Sequence, residues 1–386
     1  MKIALLTHRY PLPERPELLS DVDALRHITK WWARDGHQVH VVVLYQHQNQ
    51  HDGRPKPFFY LWKYQAIERD GLTVHLLETR FIHALRLTTD LYFRLLGHIM
   101  RRRVGKSDMT LVHFPSRMFS FAQAFHPGRD KAAVLHSTDI KRYSAGNREA
   151  KTLLARLKRQ YGAIGFRSDA LRRQFDACFP GDQKEFLVLS GAPFVDLPPA
   201  PAHDGPMRVL YVGKLIPRKR ADALVEVLSG LDLPWRLTIV GDGPLREKIA
   251  SRVRELGLTE KVEITGPVSR EEVLSRMRQA DVFVLQSYDE TFGIVYLEAM
   301  AQRLICVGSR GEGIDGAIVD GQNGFLVDAR SDGELKDALT RIWRMPEADR
   351  QRIRQAAYDT ARSMTEEGMA REYLRLAKQA LKESGI

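Results

Sequence analysis

The chain has 386 residues and a mass of 44.1 kDa; 44% of it is hydrophobic and 28% charged. This excludes a mainly disordered, collagen-like or polytopic membrane chain and leaves room for two or three globular domains. Lys and Arg total 59 against 48 Asp and Glu, a net charge of +11.

The first strand is expected at Lys2–Leu6. The short apolar start before His8 and Arg9 is too brief for a signal-peptide core, and no run of eighteen apolar residues follows. A helical pattern covers about Asp21 to Arg34, Asp35-Gly36-His37 turns, and Val39–Leu44 reads as a second strand. Short apolar runs follow at Leu72–Leu77, Thr110–Phe114, Ala132–Leu135 and Gly162–Phe166. Ser168 suits the N-cap of a helix over Asp169–Phe179. Four prolines within 196–206 read as an interdomain linker.

Beyond it the alternation resumes. Strands are expected at Arg208–Val212, Arg236–Val240, Val262–Thr265, Val282–Leu285, Leu304–Val307 and Gly324–Val327. Helices are expected at Ala221–Leu228, Leu245–Leu256, Arg270–Arg278 and from about Phe292. Alternating strands and helices predict parallel sheets covered on both faces. The fold class is therefore α/β, two tandem doubly wound Rossmann-like domains, with ligands expected beyond the carboxyl ends of the strands. The boundaries read 1–200 for the first domain, 207–362 for the second, and 363–386 for a C-terminal helix. That helix carries Met369, Tyr373, Leu374, Ala377 and Leu381 along one face.

Residues 1–200 hold 31 Lys/Arg and 19 Asp/Glu, a net of +12, and the remainder holds 28 and 29, a net of −1. All thirteen histidines lie at or before His203. Such asymmetry points to an anionic partner: lipid, acidic glycan or nucleic acid. Cys178 and Cys306 are far apart, so neither a disulfide framework nor a metal site is expected, and a reducing compartment fits.

Three strand-end loops in the second half carry candidate chemistry. Val212-Gly213-Lys214-Leu215-Ile216-Pro217-Arg218-Lys219-Arg220 offers a glycine for close ligand approach and four cations suited to phosphate. Gly241-Asp242-Gly243-Pro244 has the composition of a tight turn before a helix. Asp289 to Ala301 places Glu290 and Glu298 eight positions apart across an expected helix start near Phe292–Gly293. Eight helical residues rise about 12 Å, and the free N–H groups between the two glutamates make an anion site. Glu298 lies among Val295, Tyr296, Leu297, Ala299 and Met300, an apolar run in which a carboxylate needs a partner.

With that motif the sequence resembles the family 4 glycosyltransferases, retaining enzymes of the GT-B fold. The likeness extends to Val212-Gly213-Lys214-Leu215 through Lys219, Val240 to Leu245, Gly266, Asp320 to Phe325, Gly36 to Val39, His136 and Ser168. It implies that Glu290 contacts the donor sugar and Glu298 the ribose. The backbone of Phe292, Gly293 and Ile294 would bind the diphosphate, with Gly213 and Arg218 in the same donor site. Lys214 and Lys219 would neutralise the leaving diphosphate, and His136 would face the transferred sugar or its phosphate. The nucleobase would lie against Gly266-Pro267-Val268. No metal and no cofactor is implied, only a UDP- or GDP-linked donor. The sequence departs from the family at Pro16 to Asp21, where Ser20 stands in for a glycine contact, and at Lys214, Arg220, Arg303 and Ile305.

Residues 81–106 read as a basic amphipathic helix with Leu85, Tyr92, Leu96 and Ile99 on one face. Phe93, Leu95 and Met100 flank that face, and Arg94 and Arg101 lie opposite. Such a helix lies on an anionic membrane or packs on the sheet. Residues 51–65 add Phe58, Phe59, Tyr60, Trp62 and Tyr64 among basic residues, to border an acceptor, touch lipid or form a local cluster. The resemblance implies a glycan or lipid-linked glycan acceptor for lipopolysaccharide, capsule or exopolysaccharide, handled by a cytoplasmic, membrane-peripheral enzyme at the inner membrane. Two alternatives stand beside it: an inactive GT-B scaffold that binds a nucleotide sugar, and a basic nucleic-acid-binding protein. The latter lacks any zinc-finger or RRM signature.

Overall fold

The structure is a computed structural model that describes residues 1–12, 23–47, 62–80, 89–143, 148–179, 183–195 and 203–385. The chain divides into two compact units. The first is Met1–Arg167, Arg172–Leu189 and Met369–Ile386; the second is Ser168–Leu171 and Ser190–Gly368.

In the first unit the elements run β1 (Lys2–Thr7), α1 (Asp23–Arg34), β2 (Gln38–His47), β3 (Trp62–Arg69), β4 (Leu72–Arg80), α2 (Thr89–Val104) and β5 (Met109–His113). They continue with α3 (Phe119–Phe125), β6 (Lys131–Leu135), α4 (Ser137–Tyr143), α5 (Arg148–Gln160), β7 (Ala163–Phe166), α6 (Asp169–Cys178) and β8 (Lys184–Leu187). The sheet order is β3-β4-β2-β1-β5-β6-β7-β8, parallel except for β3 against β4. Asp70 and Gly71, at φ 51° and 79°, form the two-residue turn of that hairpin. Both left-handed positions suit Asp-Gly. Trp62 and Tyr64, read from the sequence beside an acceptor, lipid or a local cluster, are alternate residues of this edge strand. Phe58, Phe59 and Tyr60 lie outside the described residues.

The α2 helix corrects the expected face. Leu96, Met100 and Val104 are buried, and Gly97 packs so closely on α3 that a Cβ would overlap the Phe121 carbonyl oxygen. Tyr92 and Ile99 are half-buried. Leu95, expected at the flank of the buried face, is 54% exposed, and Leu91 is 68% exposed. Close packing of α3 on the Gly97 side turns the contact face away from Leu95. Residues 81–88, with Leu85, lie outside the described residues.

The second unit runs β9 (Met207–Val212), α7 (Ala221–Ser229), β10 (Trp235–Val240), α8 (Arg246–Glu255), β11 (Val262–Gly266), α9 (Arg270–Gln279), β12 (Val282–Val284) and α10 (Ile294–Ala301). Then come β13 (Ile305–Ser309), β14 (Phe325–Val327), α11 (Asp332–Arg344) and α12 (Glu347–Ser363); α13 (Glu366–Glu383) starts here and leaves the unit after Gly368. Its sheet is fully parallel in the order β11-β10-β9-β12-β13-β14. The strand order reverses beside β9, which makes the carboxyl ends of β9 and β12 the switch point where ligands collect.

The units change over after Leu189 and after Gly368, where the sequence placed boundaries at 200–207 and 363. Ala192 donates to the Met364 carbonyl at 3.1 Å and accepts from the Glu366 N–H at 3.2 Å, which ties 190–195 to the end of α12. Of the expected linker, residues 196–202 lie outside the described residues. From Met369 onward α13 belongs to the first unit. Ala370, Tyr373 and Ala377 are buried in the same core as Leu25, Ile28 and Trp32 of α1 and Val41 of β2. The Trp32 indole N–H donates to the Ala370 carbonyl at 2.7 Å, and Arg371 makes two 2.8 Å bonds to Asp35. Each large side chain buried this way contributes about 1.5–3 kcal/mol. Among the described residues no helix is long and apolar enough to cross a membrane.

Candidate functional site

In the second unit three strand-end loops lock into one platform. Gly213 donates to the Val240 carbonyl at 3.0 Å, Leu215 to Asp242 at 2.9 Å, and Gly241 to Gly266 at 3.0 Å. A Cβ on Gly241, at φ 141°, would overlap the Gly213 carbonyl oxygen, and one on Gly243 would press on Leu215. These glycines are therefore required by loop-to-loop contact. Gly213, read from the sequence as a point of ligand approach, is itself the residue against which Gly241 packs.

The loop after β12 turns twice through left-handed residues, Asp289 at φ 57° and Gly293 at φ 81°. The α10 helix begins at Ile294, two residues later than expected, with Phe292 buried and Gly293 at the N-cap. Glu290 is consequently a loop residue, and the expected 12 Å rise through continuous helix does not apply. Glu298 lies four residues into α10, about 6 Å along the axis from Ile294. The first N–H groups of this helix have no acceptor within it, so Ile294 and its neighbours present donors and a positive dipole end.

Glu290 is enclosed at this end of the sheet, its side chain 13% exposed, as is that of Lys219. The Lys219 ammonium pairs with it directly, the Arg218 guanidinium stands 3.8 Å away, and the Ser287 hydroxyl donates at 3.5 Å. Lys219 and Arg218 reach it from the short 3-10 turn Pro217–Lys219 after β9. Behind the loop, the Glu290 N–H donates to Glu312 at 2.9 Å and its carbonyl accepts from Gly313 at 3.1 Å. Burial pushes the Glu312 carboxyl above its ordinary value. Lys214 is exposed, and its carbonyl accepts from the Tyr211 hydroxyl at 3.0 Å.

Glu298 has the partner its apolar setting demands. Arg270, the first residue of α9, bonds it at 2.7 Å. Burial raises the Glu298 carboxyl, and Arg270 works against that rise. Gly266 closes β11 at φ 76°, and Val268 is half-buried just before the Ser269 N-cap of α9. Arg220 and Arg303, where the family has glycine, sit at φ 54° and 60°. Arg220 pairs with Asp332, and Arg303 stacks 3.5 Å over the Tyr358 ring. The backbone keeps a conformation suited to glycine, and the side chains offset its strain.

In the first unit His136 follows β6. Its ring is buried, stacked on Phe114 with centroids 3.6 Å apart, and its Nε2 lies 3.0 Å from His113 Nδ1. His113 Nε2 lies 3.0 Å from the Tyr373 hydroxyl. Burial holds both imidazoles far below the ordinary histidine range, so both are neutral. The Ser168 hydroxyl accepts from the Leu171 N–H at 3.2 Å, as an N-cap does. Ser20 and the rest of Pro16 to Asp21 lie outside the described residues.

Glu312, Arg270 and His113 were not singled out from the sequence, and Tyr373 only as a residue on one face of the C-terminal helix. Glu312 had a signal: it stands between Gly311 and Gly313, and a Cβ on Gly313 would overlap the Thr291 backbone. Arg270 had none, since it reads as an ordinary helix-start cation.

Residues 197–360 match the family described as Glycosyl transferases group 1. Over 142 residues the chain is 34% identical to alpha-D-kanosaminyltransferase of Streptomyces kanamyceticus, covering 36% of this chain and 37% of that protein. The match thus spans little more than a third of the length of such curated relatives. A lipopolysaccharide outer core galactosyltransferase superposes with a TM-score of 0.72 at 16% identity, over 98% of this chain and 99% of the other. An Anabaena protein, HepE, solved in complex with UDP, superposes with a TM-score of 0.67 at 15% identity, over 98% of this chain and all of that one. The chain has the GT-B fold of these proteins.

Proposed function

Residues 197–360 carry the glycosyl transferases group 1 pattern on a GT-B fold, and from that premise we propose that the chain is a retaining glycosyltransferase using a UDP- or GDP-sugar. The observation that carries this is Glu290, enclosed with Lys219 and Arg218 in the loop at the switch point, with the Arg270-held Glu298 in the first turns of the helix that follows. In this reading Glu290 orients the donor sugar and Glu298 accepts from the ribose hydroxyls. Gly266 and Val268 flank the base. The N–H groups of Phe292, Gly293 and Ile294, with Gly213 nearby, hold the diphosphate. Lys214, Arg218 and Lys219 stabilise the charge that develops on the leaving diphosphate, work that needs no metal.

The acceptor oxygen bonds to the anomeric carbon, the bond to the diphosphate breaks, and the acceptor proton passes to the leaving phosphate on the same face. His136, neutral and fixed by Phe114 and His113, contacts the sugar, and Ser20 makes the contact that a glycine makes in the family. The acceptor is a glycan or lipid-linked glycan of a lipopolysaccharide, capsule or exopolysaccharide. The exposed Leu91 and Leu95 beside Arg94, Arg101 and Arg102 support contact with an anionic membrane at the cytoplasmic face.

The test is release of nucleoside diphosphate from a panel of UDP- and GDP-sugars, with and without a chelator. Release from one donor that persists with the chelator and is lost in Glu290→Gln is the expected result. Nucleotide binding without release from any donor, even with lipid-linked acceptors supplied, favours the inactive scaffold instead.

A further inference from the structure

We propose that the first unit recognises its acceptor through a phosphate ester or a comparable dianion, held in a cavity at the carboxyl ends of β1, β5 and β6. That the ligand is an acceptor rests on the glycosyltransferase reading; the anion site itself does not. The cavity measures 220 Å³ and is lined by His8, Ser116, Arg117, Thr138, Asp139 and Arg142 among others. These residues come from the segments that follow three adjacent parallel strands, where such sheets bind ligands.

Three guanidinium groups converge here. Arg117 and Arg142 are exposed, and Arg9 lies 5.5 Å over the Phe114 ring that also borders the cavity. None of the three has a carboxylate partner among the described residues. Other arginines do pair, Arg26 with Asp70, Arg208 with Asp281 and Arg371 with Asp35. The one carboxylate at the cavity is already engaged: Asp139 accepts from the Ser116 hydroxyl at 2.5 Å and from the His136 N–H at 3.0 Å. Among the described residues, full ionisation of Asp139 still leaves two of the three positive charges unmatched.

The neighbours feel that excess. Burial, then Arg142 and Arg9, lower the proton affinity of Arg117. Burial, then Arg117, Arg9 and Arg142, push His8 down to about 3, so its imidazole is neutral. Its Nδ1 is buried and has no hydrogen-bond partner among the described residues. Phe114 holds a left-handed φ of 56°, a strained conformation of the kind that collects at functional sites. Forked guanidinium donors and the exposed Thr138 hydroxyl match the oxygens of a phosphate better than any neutral sugar hydroxyl.

The experiment is calorimetric titration of inorganic phosphate into the full chain, Arg117→Gln/Arg142→Gln and Arg117→Lys/Arg142→Lys. Any binding at the donor site is common to all three and cancels. The Gln pair is expected to bind about tenfold more weakly or worse, and the Lys pair, which keeps charge but not the fork, to fall between. Equal affinity in wild type and both pairs, or no phosphate binding by wild type, overturns the proposal. Competition by hexose 6-phosphate without vesicle binding assigns the anion to a soluble acceptor. Arginine-dependent sedimentation with phosphatidylglycerol vesicles assigns it to a lipid headgroup. A nucleoside diphosphate response measured in the same proteins separates the two readings. If it is present and phosphate gives nothing, only this proposal fails. If it is absent while the arginine-dependent phosphate response stands, the transferase reading fails.

Discussion

In the second unit the site glutamates are already held by cations, Glu290 by Lys219 and Arg218 and Glu298 by Arg270. In the first unit Arg9, Arg117 and Arg142 gather with no carboxylate of their own among the described residues, and the one carboxylate present is tied to Ser116 and His136. The units differ as much in their neutral groups. The first buries His8, His75, His113 and His136 uncharged, whereas the second has only His203, bonded to Asp281. One unit carries a candidate donor site whose glutamates are paired before any ligand arrives. The other carries cations that no carboxylate among the described residues pairs.

The largest expected effect breaks the balanced side. Glu290→Gln removes the charge that holds Lys219 and Arg218, and turnover should fall about 100- to 1000-fold, the scale for removing one preorganised electrostatic partner. Nucleotide affinity should change little, so kcat carries the loss. Retained turnover would remove Glu290 from the reaction.

Acid sharpens the contrast. A histidine held neutral in the fold binds its proton only on unfolding, so it contributes stability above pH 6.5 that is lost as pH falls toward its folded value. His8, down to about 3, and His75, down to about 4, should each cost about 2 kcal/mol at pH 5. His113 and His136 act in the same direction. Asp139, pushed by burial up to about 6, opposes them: its cost, complete above pH 6, is relieved as it protonates. Hydrogen exchange should show the first unit opening before the second between pH 7 and 5. Simultaneous opening would contradict that assignment.

Gly241→Ala should destabilise the second unit by about 2–3 kcal/mol in thermal unfolding, because the methyl cannot share space with the Gly213 carbonyl. The smallest effect separates backbone from side chain. Arg220→Gly should be about 1 kcal/mol more stable than Arg220→Ala, since both lose the Asp332 pair and only glycine relieves the left-handed strain.

Much of the second unit was legible because each strand there is a short apolar run closed by glycine or a polar turn. The β9 to β13 positions agree with their sequence readings within two residues at each end. The β3 strand escaped because Trp62, Tyr64 and Ala66 alternate with polar residues at a sheet edge, a pattern that reads equally as exposed aromatics, and Asp70-Gly71 was passed over as its turn. Glu290, Glu298 and Lys219 were visible as a motif. Their supports were not: Glu312 lies 22 residues from Glu290, and Arg270 lies 28 from Glu298. The arginine cluster of the first unit was less visible still, because three separate strand ends assemble it and no local spacing reports that.

The most direct test of the proposed donor site is thermal unfolding of wild type and Glu298→Ala against UDP, GDP, ADP and CMP. A ligand that binds only the folded state raises the apparent stability. One nucleoside diphosphate should stabilise the wild type, and Glu298→Ala should need at least about tenfold more of it, as loss of hydrogen bonds to a charged group requires. No shift with any nucleotide at millimolar concentration, or an equal shift in both proteins, would contradict a ribose held by Glu298.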